Sequence, residues 1–209
     1  LELPRLVATP RPLSATLDLL PGRLAAIFEA DVCSIYLVEG DQLVLRGNVG
    51  FPEEALQDIA LGAGEGITGL AVELNRPIAL CGASGHDAFR LFPELGEEHY
   101  QTFLAVPIHG AAGALGALVL QRRPAADGHD DADDGTAACA DGGEGPRDTR
   151  RAFVPSDIAL ATALTTPISA AVERAKLIET LSGTGQRISK GTRRVTLSGR
   201  TVVRGKAVG

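Results

Sequence analysis

The sequence predicts an α+β fold in α/β/α layers: a central antiparallel sheet carries the helices, with the first and last helices together on one face. Three features predict it. Two pairs of β-rich runs are each joined by a short turn of small or polar residues, apolar residues at helical spacing flank them on either side, and a glycine-rich loop opens a short helix between the pairs.

The first helix is expected over 13–28, where Leu17, Leu20, Leu24 and Phe28 recur at helical spacing and Pro21-Gly22 should kink or split the segment. Val32 to Val38 and Gln42 to Val49 read as strands around Glu39-Gly40-Asp41, whose Gly-Asp pair can supply the positive φ of a tight hairpin. Beyond Phe51-Pro52, residues 53–58 look helical and 59–61 extended. Gly62-Ala63-Gly64-Glu65-Gly66 follows as a loop whose glycines, lacking a Cβ, permit a sharp turn into a helix over 67–73. Pro77 to Cys81 reads as a strand, and the polar and aromatic stretch from Gly82 to Gln101 belongs on the surface or over a pocket. Phe103 to His109 and Leu115 to Gln121, joined by Gly110 to Ala114, form the clearest hairpin.

From Pro124 to Arg151 the chain turns to Ala, Gly and Asp with almost no large apolar residue, a composition that cannot offset the entropy of ordering, and it reads as a disordered insert. Pro155 with Ser156 or Asp157 then supplies helix-start chemistry. Ile158, Ala161, Leu164, Ile168, Val172, Ala175 and Ile178 mark one face of a long helix ending near Gly183, and Pro167 inside it predicts a kink. The expected organisation is one domain over 1–182, then a linker and the first strand of a truncated second domain over 183–209. With no Met anywhere and an end inside a strand-like run, the chain reads as a fragment.

The 209 residues suffice for one regulatory module with a buried core. At 44% hydrophobic and 22% charged residues, with no apolar run long enough to cross a bilayer, the expectation is a soluble chain with no membrane partner. A net charge of −6 without a basic face argues against nucleic acid, whose binding depends on neutralising phosphates. Cys33, Cys81 and Cys139 form no CxxC pair, so neither a disulfide framework nor a zinc site is expected, and a cytoplasmic setting is the natural one.

Particular segments add a resemblance. Val32-Cys33-Ser34-Ile35-Tyr36-Leu37, Gly64-Glu65-Gly66-Ile67-Thr68-Gly69-Leu70, His86-Asp87-Ala88-Phe89-Arg90 and Phe103-Leu104-Ala105-Val106-Pro107-Ile108, continuing into Leu115 to Gln121, resemble the GAF domain of the nitrogen-type Enzyme I of the phosphotransferase system. These blocks cover most of 30–122. Leu197-Ser198-Gly199 and Arg204 to Gly209 look like the opening strand of the Enzyme I catalytic half, whereas the acidic insert and Pro167 depart from the family pattern. The resemblance implies a parent phosphoenolpyruvate-protein phosphotransferase, using magnesium, that passes a phosphoryl group from phosphoenolpyruvate to a histidine-phosphorylatable carrier protein. The GAF domain would adjust that transfer in response to a small effector, an amino acid such as glutamine. None of His86, His99, His109 and His129 lies in the Gly-rich Ser-His setting of the phosphorylated histidine, so this chain alone should have no catalytic residue, metal or cofactor. Nitrogen-fixation activators carry a similar GAF domain and remain an alternative parent.

The candidate ligand-binding residues are Tyr36, Ser84, His86, Asp87, Phe89, Arg90, Tyr100 and Phe103, which would line a pocket between the sheet and the 82–101 segment. Arg90 would suit a carboxylate, because a guanidinium binds one as a bidentate fork. Phe89, Phe92 and Phe103 are of types more often found as core packing than as ligand walls, and Arg90 with Asp87 could equally form a surface ion pair worth little. Glu65 is expected to stabilise the following helix N-terminus and is assigned no chemistry. His129 and the aspartates around it read as solvated charge rather than a metal site. Cys81 raises an enzymatic alternative, since some GAF proteins reduce free methionine sulfoxide with pocket cysteines. Cyclic-nucleotide and tetrapyrrole binding lack their signature residues. The long apolar face of the last helix predicts a homodimer.

Overall fold

The computed structural model describes residues 12–52, 59–62, 64–124, 151–178 and 180–181. The helix expected over 53–58, the body of the insert and everything from 182 onward lie outside the described residues.

The elements are α1 (Leu13–Ile27), β1 (Val32–Glu39), β2 (Gln42–Val49), β3 (Ala60–Gly62), α2 (Gly66–Glu73), β4 (Ile78–Cys81), β5 (Thr102–Gly110), β6 (Gly113–Arg122) and a final helix α3 over 155–178. The six strands form one sheet in the order β3-β2-β1-β6-β5-β4, every neighbouring pair antiparallel. Both expected hairpins form. The turn of the second is tighter than the sequence suggests, because β5 and β6 pair as far as Gly110 and Gly113 and a bulge beside Ile108 absorbs the extra residue.

Side chains alternate across this sheet and build two cores. On one face Cys33, Ile35 and Leu37 of β1 and Leu118 and Leu120 of β6 meet Leu17, Leu20 and Leu24 of α1 together with Ile168, Ala171 and Val172 of α3. On the other, Tyr36, Phe103, Ala105 and Val119 meet Ile67 and Ala71 of α2, with Leu95 and Tyr100 from the segment that leads into β5. The expected layering, with the terminal helices sharing one face, is the observed one.

Neither proline splits its helix. Helix α1 runs unbroken through Pro21, and α3 runs unbroken through Pro167. A proline at position 21 leaves the Leu17 carbonyl without its helical donor. That carbonyl lies against β2 at Gly47, where an added Cβ would stand 2.7 Å from the oxygen. The strand therefore covers the defect, and tertiary packing overrides the local preference.

Arg122, 9% exposed, ties the end of the sheet to both terminal helices. It donates to the Phe28 carbonyl after α1, to the carbonyls of Arg151 (3.2 Å) and Ala152 (3.0 Å), and to Asp157 Oδ2 in the first turn of α3 (3.3 Å). Its guanidinium stacks 4.0 Å from the Phe153 ring centroid. Burial pulls its pKa down and the Asp157 carboxylate opposes that shift. Beside it Arg151 bonds Asp31 Oδ2 at 2.9 Å and the Glu29 carbonyl at 3.0 Å. The chain thus leaves the sheet at 122 and returns at 151 within one clasp.

Candidate functional site

The segment between β4 and β5 roofs the second core. It contains three single-turn 3₁₀ helices, Ala83–Gly85, Pro93–Leu95 and Glu97–His99, and is anchored at its base where Gly82 and Ala83 donate to the Gln101 carbonyl. Beneath it lies a small cavity of about 20 Å³. Tyr36 of β1 and Phe103 of β5 stand on its sheet side, Ile67 and Thr68 come from α2, and Phe89, Arg90, Phe92 and Glu97 come from the roof.

Four of the eight residues singled out in the sequence meet there: Tyr36, Phe89, Arg90 and Phe103. The other four do not line it. Ser84 and Asp87 point to solvent, and His86 Nδ1 accepts from the Ala88 N–H at 3.0 Å, closing a local turn. Tyr100 is packed edge-on against Phe51, centroids 5.7 Å apart, and its hydroxyl accepts from Arg123 at 3.2 Å. Arg90 pairs with Glu65 rather than Asp87. The hollow is also far smaller than the few hundred Å³ typical of metabolite pockets, and holds no more than a water-sized group. Aromatic side chains from the roof close it.

The sequence did not single out Glu97 or Gln121. Glu97 is 6% exposed; its Oε1 accepts from Gln121 Nε2 and its Oε2 from the Phe92 N–H, both at 3.3 Å. Gln121, 1% exposed, keeps a buried Oε1 with no hydrogen-bond partner. Its place at the end of the apolar run Leu118-Val119-Leu120 was the signal available, because a polar residue in a strand interior needs a partner. Glu97 sits in the polar stretch Glu97-Glu98-His99, which looks no different from solvated charge.

Burial, reinforced by the nearby Glu97 carboxylate, pushes the Tyr36 hydroxyl well above its ordinary pKa of about 10. A tyrosine whose folded pKa is raised contributes stability that is complete below its unfolded pKa and is lost as pH climbs toward the folded value. The chain has two tyrosines. An ultraviolet titration should therefore show Tyr36 ionising only together with alkaline unfolding above about pH 10; reversible ionisation of both rings in the folded protein would contradict this environment.

Glu65 precedes α2 without capping it through its side chain. Its Oε2 accepts from the Gly62 N–H at 2.6 Å and its Oε1 meets the Arg90 guanidinium, which lies 5.5 Å from the Phe92 ring centroid. A larger concavity of about 420 Å³ lies between α1 and β2. The Asn48 amide on its wall already serves Ser34 Oγ and the Phe51 N–H. Asp18 and Arg46 also line it, Arg46 held by Glu39, whereas the roofed cavity gathers four of the residues singled out in the sequence and is the better candidate.

Among the described residues no cysteine lines the roofed cavity. Cys33 is fully buried and burial drives its thiol pKa upward, which makes it unreactive. Cys81 is buried at the end of β4 and is disulfide-bonded, where the sequence suggested no disulfide. Among the described residues no cluster of His, Cys, Asp or Glu could hold a metal, and no helix is long and apolar enough to cross a membrane.

A model of the GAF domain family matches residues 12–134, more than half of the chain. Over 109 residues the chain is 34% identical to a protein of Salmonella typhimurium named phosphoenolpyruvate-dependent phosphotransferase system, a match that takes in 51% of this chain and 15% of that protein. The chain therefore spans a small part of this relative. It is also similar to the GAF domain of a phosphoenolpyruvate-protein phosphotransferase from Coxiella burnetii, with a TM-score of 0.67 and 26% identity over 86% of this chain and 93% of that one. Free methionine-R-sulfoxide reductase from Neisseria meningitidis, solved with its substrate, shares the fold at a TM-score of 0.63, with 16% identity over 85% of this chain and 87% of that one. The matched family model and the six-stranded sheet with helices on both faces agree, and the chain belongs to the GAF domain family.

Proposed function

We propose that this chain is the regulatory GAF module of a phosphoenolpyruvate-protein phosphotransferase in the cytoplasm. It takes a small amino-acid metabolite, glutamine in the first instance, beneath the 82–101 roof. In the parent, a catalytic half that uses magnesium would move a phosphoryl group from phosphoenolpyruvate to a histidine of a carrier protein, and occupancy of the GAF module would bias that transfer as part of nitrogen regulation. The likeness to phosphotransferase proteins in sequence and structure supports the choice of parent.

One observation carries the ligand reading: a buried glutamate, a tyrosine, a threonine and an arginine line one otherwise apolar cavity. Such a set can hold both ends of a zwitterion, with an ammonium toward Glu97 and a carboxylate toward Arg90. At about 20 Å³ the cavity is the closed state, and a ligand enters when the roof lifts. The roof suits that movement, because it pairs with no strand along its 3₁₀ turns and segments of this kind open at the low end of a protein's free-energy scale. Ligand binding then shifts the population from closed to open by its differential affinity for the two.

Isothermal titration with L-glutamine and with 2-oxoglutarate tests the reading. Saturable heat with glutamine is expected, and no heat with either compound removes the metabolite role.

A homodimer through the terminal helices belongs to the same proposal. Leu19 and Ile27 of α1 and Leu160, Leu177 and Ile178 of α3 are exposed apolar residues on the helical layer. Light scattering should give twice the mass of the chain, and Leu177→Glu should shift it toward the monomer; a monomer at millimolar concentration would end this part of the account.

A further inference from the structure

Resting on the amino-acid reading of the roofed cavity, we propose that Glu65 is a built-in competitor for the ligand carboxylate, and that it sets the affinity of the site by holding Arg90 when the cavity is closed. Arg90 is the cationic side chain lining the cavity, and its guanidinium is engaged by Glu65 Oε1. Glu65 is fixed in that position from behind, because its Oε2 accepts from the Gly62 N–H at 2.6 Å at the turn into α2. The backbone around the pair is also close, with a Cβ at Gly66 placed 3.5 Å from the Arg90 Cβ. The same carboxylate therefore braces the turn before α2 and neutralises the roof.

A ligand carboxylate reaching Arg90 must displace Glu65, since a guanidinium offers its bidentate fork to one carboxylate at a time. Both partners are part-exposed, Arg90 at 50% and Glu65 at 33%, so the exchange is a mild one between like groups.

The test compares L-glutamine with 4-aminobutanamide, which is glutamine without its α-carboxylate, by isothermal titration on the full chain and on Glu65→Gln. Glutamine at this position keeps a carbonyl acceptor for the Gly62 N–H and loses the charge. The variant should bind L-glutamine about twofold to fivefold more tightly than the unchanged protein, the range set by a part-exposed ion pair, and should bind 4-aminobutanamide equally. Equal affinity of the two proteins for L-glutamine overturns the competitor role while leaving the metabolite reading in place, whereas no saturable heat from either protein removes both. A second variant, Arg90→Gln, leaves the Gly62 contact untouched and should lose any preference for L-glutamine over 4-aminobutanamide. A preference that survives in Arg90→Gln also overturns the proposal.

Discussion

Arg122→Met should destabilise the protein by about 3–5 kcal/mol in urea unfolding, because it removes a buried cation from partners that stay buried. The carbonyls of Phe28 and Ala152 and the Asp157 carboxylate would each lose a charge-assisted donor, and Phe153 its stacked guanidinium. Methionine preserves much of the aliphatic volume, so the loss reports the hydrogen bonds rather than a void. Arg122→Lys should recover only part of it, since a point-like ammonium cannot reach three acceptors at the angles of a planar fork. The effect should extend to the last helix, because Arg122 joins the end of the sheet to the first turn of α3. A loss below about 1 kcal/mol would mean that the clasp contributes no more than an ordinary surface contact.

Gly116→Ala should cost about 3 kcal/mol or more. Gly116 lies opposite Leu37 in the β1–β6 ladder, and a Cβ there would clash with the Tyr36 carbonyl oxygen. Backbone on both sides is held by the ladder, so neither strand can yield without losing hydrogen bonds. Because Tyr36 also lines the cavity, the strain would act on the candidate site as well as on the sheet. Thermal unfolding should show a clearly lowered midpoint, and an unchanged midpoint would contradict this packing. Gly47→Ala, 2.7 Å from the Leu17 oxygen, should be milder, since α1 can shift as a unit.

The sheet was legible in the sequence because its signals are local. The turn at Glu39-Gly40-Asp41 and the small residues between β5 and β6 mark hairpins, and the spacing of Leu17, Leu20 and Leu24 marks the buried stripe of α1. The prolines are also local signals: Pro21 and Pro167 predict kinks, neither breaks its helix, and at Pro21 the neighbouring strand covers the exposed carbonyl. The site was only half legible. Tyr36 and Phe103 could be placed because strand alternation fixes which face they occupy, and Phe89 and Arg90 because they sit in the roof motif. Glu97 and Gln121 could not be placed, because their pairing joins a 3₁₀ turn to a strand 24 residues later, and such register has no periodic signature. Nor does any pattern in the 82–101 stretch announce that Arg90 turns toward Glu65 rather than Asp87.

Binding of a small amino-acid ligand requires the roofed cavity to open. A ¹H–¹⁵N correlation spectrum of the labelled chain titrated with L-glutamine tests it most directly. Saturable shifts should appear at Tyr36, Thr68, Phe89, Arg90, Glu97 and Phe103, with weaker changes at Arg122 and the start of α3. A spectrum unmoved at these positions when glutamine is in large excess, or moved only at the concavity between α1 and β2, would contradict it.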